Sequence, residues 1–390
     1  MIPPGKTIGI FGGGQLGRMT ALAARSMGYR VHVLDPDASC AASPVSDRCI
    51  TARFDDADAA RELARNSDVV TLEIEQIATS SIEAAAAYAP TRPGSHIVGI
   101  VQDRDRQKQW LRQNGFPLGP HRSVHSVDDI AVAAREFGDI FVKACRGGYD
   151  GRSQVRVSAP LEAPGAWRAL GERPAVAEQA LALAGELSVM VARRPDGHMS
   201  VFPPALNHHE RQVLAWSVTP APLRADILTR AEALGRDIAE KLELEGLIAV
   251  ELFLTSAGAL FVNELAPRPH NSFHATERAC ATSQFEQLTR AVCDLPLGDV
   301  NIVRPAAIVN LFGDLWRDGV EPDFEDALDD PIVRLHLYGK PGARPGRKMG
   351  HLSAIGDSAL DALSIARRAA ERIGAATEDV PETLRSFAPR

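Results

Sequence analysis

The sequence predicts an α/β chain, α+β overall, with a parallel sheet at its N-terminal end and antiparallel sheet beyond. Three observations carry this. Short apolar runs alternate with helical patterns as far as Pro90–Pro93. A glycine-rich turn joins the first apolar run to the first helix. Further on, the apolar runs LIAVELFLT and ALFVNELAP flank a short turn.

Thr7–Phe11 (TIGIF) reads as a buried strand. In the helix after it, Leu16, Met19, Ala23 and Met27 recur at helical spacing, and Gly28 suits a C-terminal cap. VHVLD is a second strand, ELARNSD a helix and VVTLEIE another strand. Such alternation implies crossover helices and parallel pairing. The alanine-rich IEAAAAYA is read as plain helix. Gln102–Asn114 reads as a charged helix stopped by Gly115-Phe116-Pro117. DIFVKA is a strand, RGGYDGRSQ a glycine-rich hairpin, and AVAEQAL and GELSVMVARRPDGHMSVFPP are β-rich, with PDG as a turn. Ala225–Leu242 is an amphipathic helix. After the LIAVELFLT hairpin comes a helix beyond Ser283, then a Pro/Gly-rich end that includes GKPGARPGRKMGH.

With 390 residues, the chain has room for about two or three domains. Its 45% apolar and 24% charged residues are ordinary for a globular protein. A net charge of -7 argues against a general nucleic-acid binder, which needs excess Lys and Arg to neutralise phosphates. Cys40, Cys49, Cys145, Cys280 and Cys293 form no CxxC pair, so neither a cysteine zinc site nor a disulfide framework is expected. The N-terminus enters a strand at once, and no apolar run is long enough to span a bilayer. A cytoplasmic protein without membrane or nucleic-acid partners is expected.

Five motifs carry chemistry. Gly12–Gly17 satisfies G-x-G-x-x-G between strand and helix, and Asp35 closes the next strand. The turn suits a dinucleotide, a phosphorylated substrate, or nothing more than a tight strand-to-helix connection. Lys143 ends a strand and faces the hairpin Gly147–Arg152, where a point charge and backbone donors suit nucleotide phosphates; no Walker sequence is present. Glu251 and Glu264 fall on adjacent strands, with Asn263 beside them. Two carboxylates in apolar strands are costly unless paired or bound to a cation, and this donor set suits Mg²⁺. A salt bridge from one of them to Arg268 is the structural alternative. Arg268–His274 is dense in donors and held by prolines. Lys340, Arg347 and Lys348 are basic groups among Pro and Gly, as an anion site or a solvated loop would have. Glu73 and Glu75 end a strand of the first domain, where they face a ligand crevice or cap a helix.

These motifs, in this order, are those of a known family. GGGQLGRM, DRDRQK, VKACRGGYDGR, AVAEQAL, FVNELAPRPHNS and RPGRKMGHL resemble the N5-carboxyaminoimidazole ribonucleotide synthetases, ATP-grasp enzymes of purine biosynthesis. The resemblance runs from residue 12 to about residue 352. It implies an ATP-grasp fold: a Rossmann-like pre-ATP-grasp domain over 1–95, an ATP-grasp domain over 96–295 with its lid near 120–185, and a small C-terminal domain over 296–390. It implies ATP and Mg²⁺ as cofactors, with Mn²⁺ as an alternative ion, small-molecule substrates, and a homodimer.

By motif match, ATP falls to Arg104, Lys143, Glu178, Gln179, Ala180, Leu181, Glu186, His209, Asn263 and Glu264. The hairpin Gly148, Tyr149, Asp150, Gly151, Arg152, Ser153 and Gln154 joins them. Glu251 and Glu264 take the metal. The ribonucleotide falls to Gln15, Leu16, Glu73, Tyr149, Arg152, Arg268, His270, Asn271, Ser272, Lys340, Arg347 and Lys348. Asp150, Lys143 and Arg268 are the catalytic candidates. Ser153, Leu206, Phe273 and Ala275 stand where the family usually has Gly, Glu, Gly and Trp. The implied reaction is ATP- and bicarbonate-dependent carboxylation of the aminoimidazole ribonucleotide. The string around Glu73 also resembles the formate-dependent glycinamide ribonucleotide transformylases, so another ATP-grasp carboxylate–amine ligase is the alternative. An NAD oxidoreductase and a non-catalytic nucleotide binder are the more distant ones.

Overall fold

The computed structural model describes residues 1–147 and 153–389. Among them, three sheets form. The first holds β1 (Thr7–Phe11), β2 (Arg30–Asp35), β3 (Arg48–Thr51) and β4 (Val69–Leu72), all parallel, in the order β3-β2-β1-β4. Helices α1 (Gln15–Ser26), α2 (Ala57–Arg65), α3 (Thr79–Ala86) and α4 (Ser95–Val101) accompany it. Every residue of β1 and β4 is buried, as parallel strands covered on both faces require. Helix α1 closes where the glycine announced it. Tyr29 N–H reaches Ala24 O at 3.0 Å, Gly28 N–H reaches Arg25 O at 2.9 Å, and Gly28 has φ +87°. Edge strand β3 escaped the sequence reading because it buries one residue of four, leaving no apolar pattern.

The charged helix α5 (Arg104–Gln113) starts two residues later than its pattern suggests. The Asp103 carboxylate accepts from the N–H groups of Asp105 at 3.1 Å and Arg106 at 3.2 Å, which fixes it as the N-cap. The second sheet follows: β5 (His121–Val124), α6 (Val127–Phe137), β6 (Ile140–Ala144), β7 (Gln154–Val157), α7 (Ala163–Ala169) and β8 (Ala175–Gln179), ordered β5-β8-β6-β7 and antiparallel. Along β6, Ile140, Val142 and Ala144 are buried in the apolar core under α6 and α7. Alternation therefore turns Phe141 and Lys143 to the opposite face.

The third sheet has nine strands: β9 (Leu183–Arg193), β10 (Met199–Val201), β11 (Ala205–Glu210), β12 (Val213–Thr219), β13 (Gly246–Thr255), β14 (Leu260–Ala266), β15 (Ala306–Phe312), β16 (Arg334–Leu337) and β17 (Lys348–Ile355). Its order is β14-β13-β9-β11-β12-β15-β17-β16, with β10 on β9. The C-terminal strands thus continue the central sheet through the β12–β15 pairing. Helix α8 (Ala225–Lys241) buries Ile227, Ala231, Gly235 and Ile238 along one stripe. A Cβ on Gly235 would sit 2.6 Å from Val189 Cγ1, so only glycine lets this helix approach the sheet so closely. Helices α9 (Thr276–Ala279), α10 (Gln284–Val292), α11 (Glu325–Leu328) and α12 (Ala359–Arg372) complete the fold. Leu16 and Met19 of α1, Phe285 of α10 and Tyr338 form one buried cluster, which joins the first sheet, the central region and the C-terminal strands. No helix of the described residues is long and apolar enough to cross a membrane, and all five cysteines are free thiols.

Candidate active site

A cleft of about 330 Å³ lies between strand β6, the β13–β14 hairpin and the N-terminus of α1. The hairpin supplies its acidic wall. Glu251 and Glu264 are cross-strand partners, and the register then slips so that Leu252 faces Val262. Asn263 is the extra residue of this bulge. A regular strand would turn neighbours Asn263 and Glu264 to opposite faces; the bulge lets both line the cleft.

Each carboxylate has a nitrogen partner. Arg104 Nη1 lies 2.9 Å from Glu264 Oε2, and His270 Nε2 lies 2.9 Å from Glu251 Oε1. His270 Nδ1 is 2.7 Å from the Ser272 hydroxyl. With Nε2–H facing the carboxylate, Nδ1 accepts from that hydroxyl. Burial alone would push the Glu251 carboxyl up, but His270, His209 and Arg268 outweigh it and hold it down at about 2. Asn263 Nδ2 donates to Glu251 Oε2 at 3.3 Å, while its buried Oδ1 has no hydrogen-bond partner among the described residues. The structural alternative had one of these carboxylates bridging Arg268. Arg268 grips Glu75 with two nitrogens, Nε to Oε2 and Nη2 to Oε1 at 3.0 Å.

Lys143 enters from the lid. Its Nζ lies 2.9 Å from Glu178 Oε2, and Lys108 Nζ lies 3.2 Å from Glu178 Oε1. Burial opposes the charge on Glu178, yet the two lysines bring its carboxyl down to about 2, against an ordinary 4.5. Its ionised form therefore stabilises the fold fully above about pH 4.5, and that contribution is lost as pH falls towards 2. Glu178→Gln is expected to be less stable than the parent at neutral pH, and the gap is expected to shrink as the pH is lowered. Urea denaturation across that range checks this; a gap independent of pH would mean that the charge contributes nothing.

The glycine turn is occupied from within. Gly14 and Gly17 N–H groups donate to Glu73 at 2.8 and 3.0 Å, and Gly13 N–H donates to Asp35 at 2.7 Å. Carboxylates of the same domain thus take its donors, as the third reading of the turn, a tight strand-to-helix connection, allows. A Cβ on Gly17 would stand 2.5 Å from Gly12 O, which explains that glycine by packing alone. Burial pushes the Glu73 carboxyl up.

Of the residues singled out by motif, Gln15, Leu16, Arg104, Lys143, Gln154, Glu186, His209, Glu251, Asn263, Glu264, Arg268, His270, Asn271 and Lys348 converge on this cleft. Glu186 Oε2 lies 3.2 Å from His209 Nδ1 and raises that imidazole's pKa against the effect of burial. Lys340 Nζ donates to Gln15 Oε1 at 2.7 Å and to Lys348 O at 2.9 Å, tying the C-terminal loop to α1. Others stand back. Gln179 Nε2 donates to Phe137 O at 3.2 Å and Ala180 N–H to Asp139 O at 2.8 Å, so both brace the lid. Leu181 is near Gly119. Ser153 Oγ donates to Gly147 O at 3.3 Å. Arg347 donates to the carbonyls of Pro341 and Gly342, the latter at 2.8 Å. Gly148, Tyr149, Asp150, Gly151 and Arg152 lie outside the described residues. Glu75, read at a strand end facing a crevice, does line the cleft, whereas sequence reasoning did not choose Lys108, Phe141 or Phe253. The last two sit two residues from Lys143 and Glu251, so period-two counting along those strands points to them.

Thus a four-stranded antiparallel sheet and a nine-stranded sheet border a charged cleft beside a parallel N-terminal sheet, which is the build of an ATP-grasp protein. Family models agree along the chain: a ribonucleotide synthetase preATP-grasp domain matches residues 5–102, an ATP-grasp domain 109–285, and a phosphoribosylaminoimidazole carboxylase C-terminal domain 306–364. The chain is 40% identical over 354 residues to N5-carboxyaminoimidazole ribonucleotide synthase of Bacillus subtilis, covering 90% of this chain and 92% of that one. Among solved structures, the Staphylococcus aureus N5-carboxyaminoimidazole synthetase complexed with ADP superposes with a TM-score of 0.87 at 32% identity, over 95% of this chain and 98% of that one. The Aspergillus clavatus synthase in complex with ADP and 5-aminoimidazole ribonucleotide gives 0.86 at 31%, over 94% and 98%. The chain belongs to the N5-carboxyaminoimidazole ribonucleotide synthase family.

Proposed function

We propose that this chain carboxylates 5-aminoimidazole ribonucleotide to N5-carboxyaminoimidazole ribonucleotide, using ATP and bicarbonate and releasing ADP and phosphate. The observation that carries the reading is the bulged hairpin. Glu251, Glu264 and the unpartnered Asn263 Oδ1 share one cleft with Lys143 on one side and with Arg268, His270 and Lys348 on the other. Two carboxylates and an amide oxygen fit a hard cation. Glu251 and Glu264 would hold Mg²⁺, with Mn²⁺ the alternative ion, which supplies charge neutralisation to the ATP phosphates.

The chain's own residues do the rest. Lys143 and Arg104 offset phosphate charge while a bicarbonate oxygen attacks the γ-phosphorus and the bond to ADP breaks. Glu186 and His209 border the nucleotide from β9 and β11. The resulting carboxyphosphate is attacked at carbon by the exocyclic amine, phosphate leaves, and the amine gives up a proton. Arg268, His270, Asn271 and Lys348 orient the ribonucleotide, and Lys340 and Arg347 serve its phosphate. We read the enzyme as cytoplasmic and homodimeric.

ADP release with bicarbonate, with and without aminoimidazole ribonucleotide, tests the reading. Release that depends on both supports it; release that needs formate in place of bicarbonate points to the sister ligases. We assign the amine proton to Asp150. Asp150→Asn is expected to keep bicarbonate-dependent ATP cleavage at a reduced rate while the ratio of carboxylated product to ADP falls. A ratio equal to the parent's removes Asp150 from proton transfer.

A further inference from the structure

Behind the ribonucleotide-facing wall lies a histidine cluster that the proposed reaction does not use. His336 on β16 and His351 on β17 are cross-strand partners, with ring centroids 5.1 Å apart and planes 9° from parallel. His274 stacks on His351 at 4.9 Å. Glu277 on α9 brings a carboxylate to the same place, its Oε2 4.0 Å from His336 Nδ1. One donor atom from each of Glu277, His336 and His351 lies within 4.8 Å of the other two. The Tyr338 hydroxyl is 2.9 Å from His351 Nδ1; in the tautomer whose Nδ1–H donates to that oxygen, Nε2 carries the lone pair. A ring nitrogen hydrogen-bonded on its far side is the usual support of a metal-binding imidazole.

We propose that Glu277, His336 and His351 bind one zinc-class divalent cation, which clips the C-terminal strands to the central region of the fold. Two imidazoles and one carboxylate are a common three-ligand zinc set that leaves a fourth position for water. Arg18 faces His336 and Arg334 faces Glu277, so the site is poor in net negative charge. Mg²⁺ and Ca²⁺, which need several anionic oxygens, are disfavoured there, whereas imidazole nitrogens suit zinc. Donor atoms on a tetrahedral zinc stand about 3.4 Å apart, given bonds near 2.1 Å. The 4.0 Å gap between Glu277 and His336 closes by a torsion of the Glu277 side chain, which is open to solvent and provides the way in. The ion would join α9, which follows the Arg268–Asn271 segment, to β16 and β17, which flank Lys340 and carry Lys348. It would therefore fix the spacing of two sides of the ribonucleotide pocket from behind.

The test titrates the metal-stripped full chain with Co²⁺ as a spectroscopic probe, with Zn²⁺ as competitor, and follows the thermal midpoint. Expected are one Co²⁺ per chain with visible d–d bands of nitrogen and oxygen ligation, displacement by Zn²⁺, and a raised midpoint. His336→Gln and Glu277→Gln, both at partly exposed side chains, are each expected to weaken Co²⁺ binding on the order of 100-fold. No binding to the parent chain overturns the proposal. So does binding undiminished in both variants, or a thiolate charge-transfer band that places the ion on cysteine.

Discussion

Glu264→Gln is expected to lower kcat by roughly 10²-fold or more while ribonucleotide affinity stays within a few-fold of the parent. The side chain sits opposite Glu251 at the bulge, beside Asn263 with its unpartnered oxygen. An amide keeps the volume and one oxygen, yet removes the charge that offsets Arg104 at 2.9 Å. It also removes half of the anionic donor set offered to a cation on the ATP phosphates. Glu264 is the chief cause that raises the Arg104 pKa, and the guanidinium stays charged without it, so the variant leaves a cleft more positive than the parent's. Steady-state turnover together with ribonucleotide binding by calorimetry checks this. Turnover within a few-fold of the parent would make Glu264 a structural partner of Arg104 and nothing more.

Arg268→Ala is expected to cost about 3–5 kcal/mol of stability as well as activity, because removing one partner of a buried pair strands the other. The guanidinium is 9% exposed and its partner Glu75 18%. Burial would push the Glu75 carboxyl up, but Arg268 brings it below its ordinary value. The pair bolts the N-terminal sheet, through the loop after β4, to the end of β14, so its loss acts on two regions at once. Adding Glu75→Gln to Arg268→Ala is expected to restore most of the stability but none of the activity, because the ribonucleotide still lacks its cation. Urea denaturation and turnover of the two single variants and the double variant decide it. If Arg268→Ala unfolds within about 1 kcal/mol of the parent, the pair is not a structural joint.

Much of this site was legible in the sequence because its parts lie on regular elements. Strand alternation placed Lys143 on one face of β6, and the paired apolar runs placed Glu251 beside Glu264. The NELAPRPHNS and RPGRKMGH strings brought Arg268, His270, Asn271 and Lys348 into the same reading, and all four line the cleft. Partner choice was not legible. Nothing local paired Arg268 with Glu75, distant in the chain, or Arg104 with Glu264, yet the fold made both pairs.

By itself, then, the sequence determined the alternating elements of the N-terminal sheet apart from β3, the β13–β14 hairpin and the family, since these depend on local periodicity, turn residues and contiguous motifs. Only the tertiary structure decided three things. The bulge at Asn263 turned two neighbouring side chains to one face, a break in period that no local residue type announces. Glu73 and Asp35 took the amide donors of the glycine turn, because satisfying buried N–H groups depends on which carboxylates the packed sheet brings near. And the histidines of β16 and β17 met Glu277 of α9, because the C-terminal strands extended the central sheet, a pairing set by long-range hydrogen bonds and burial.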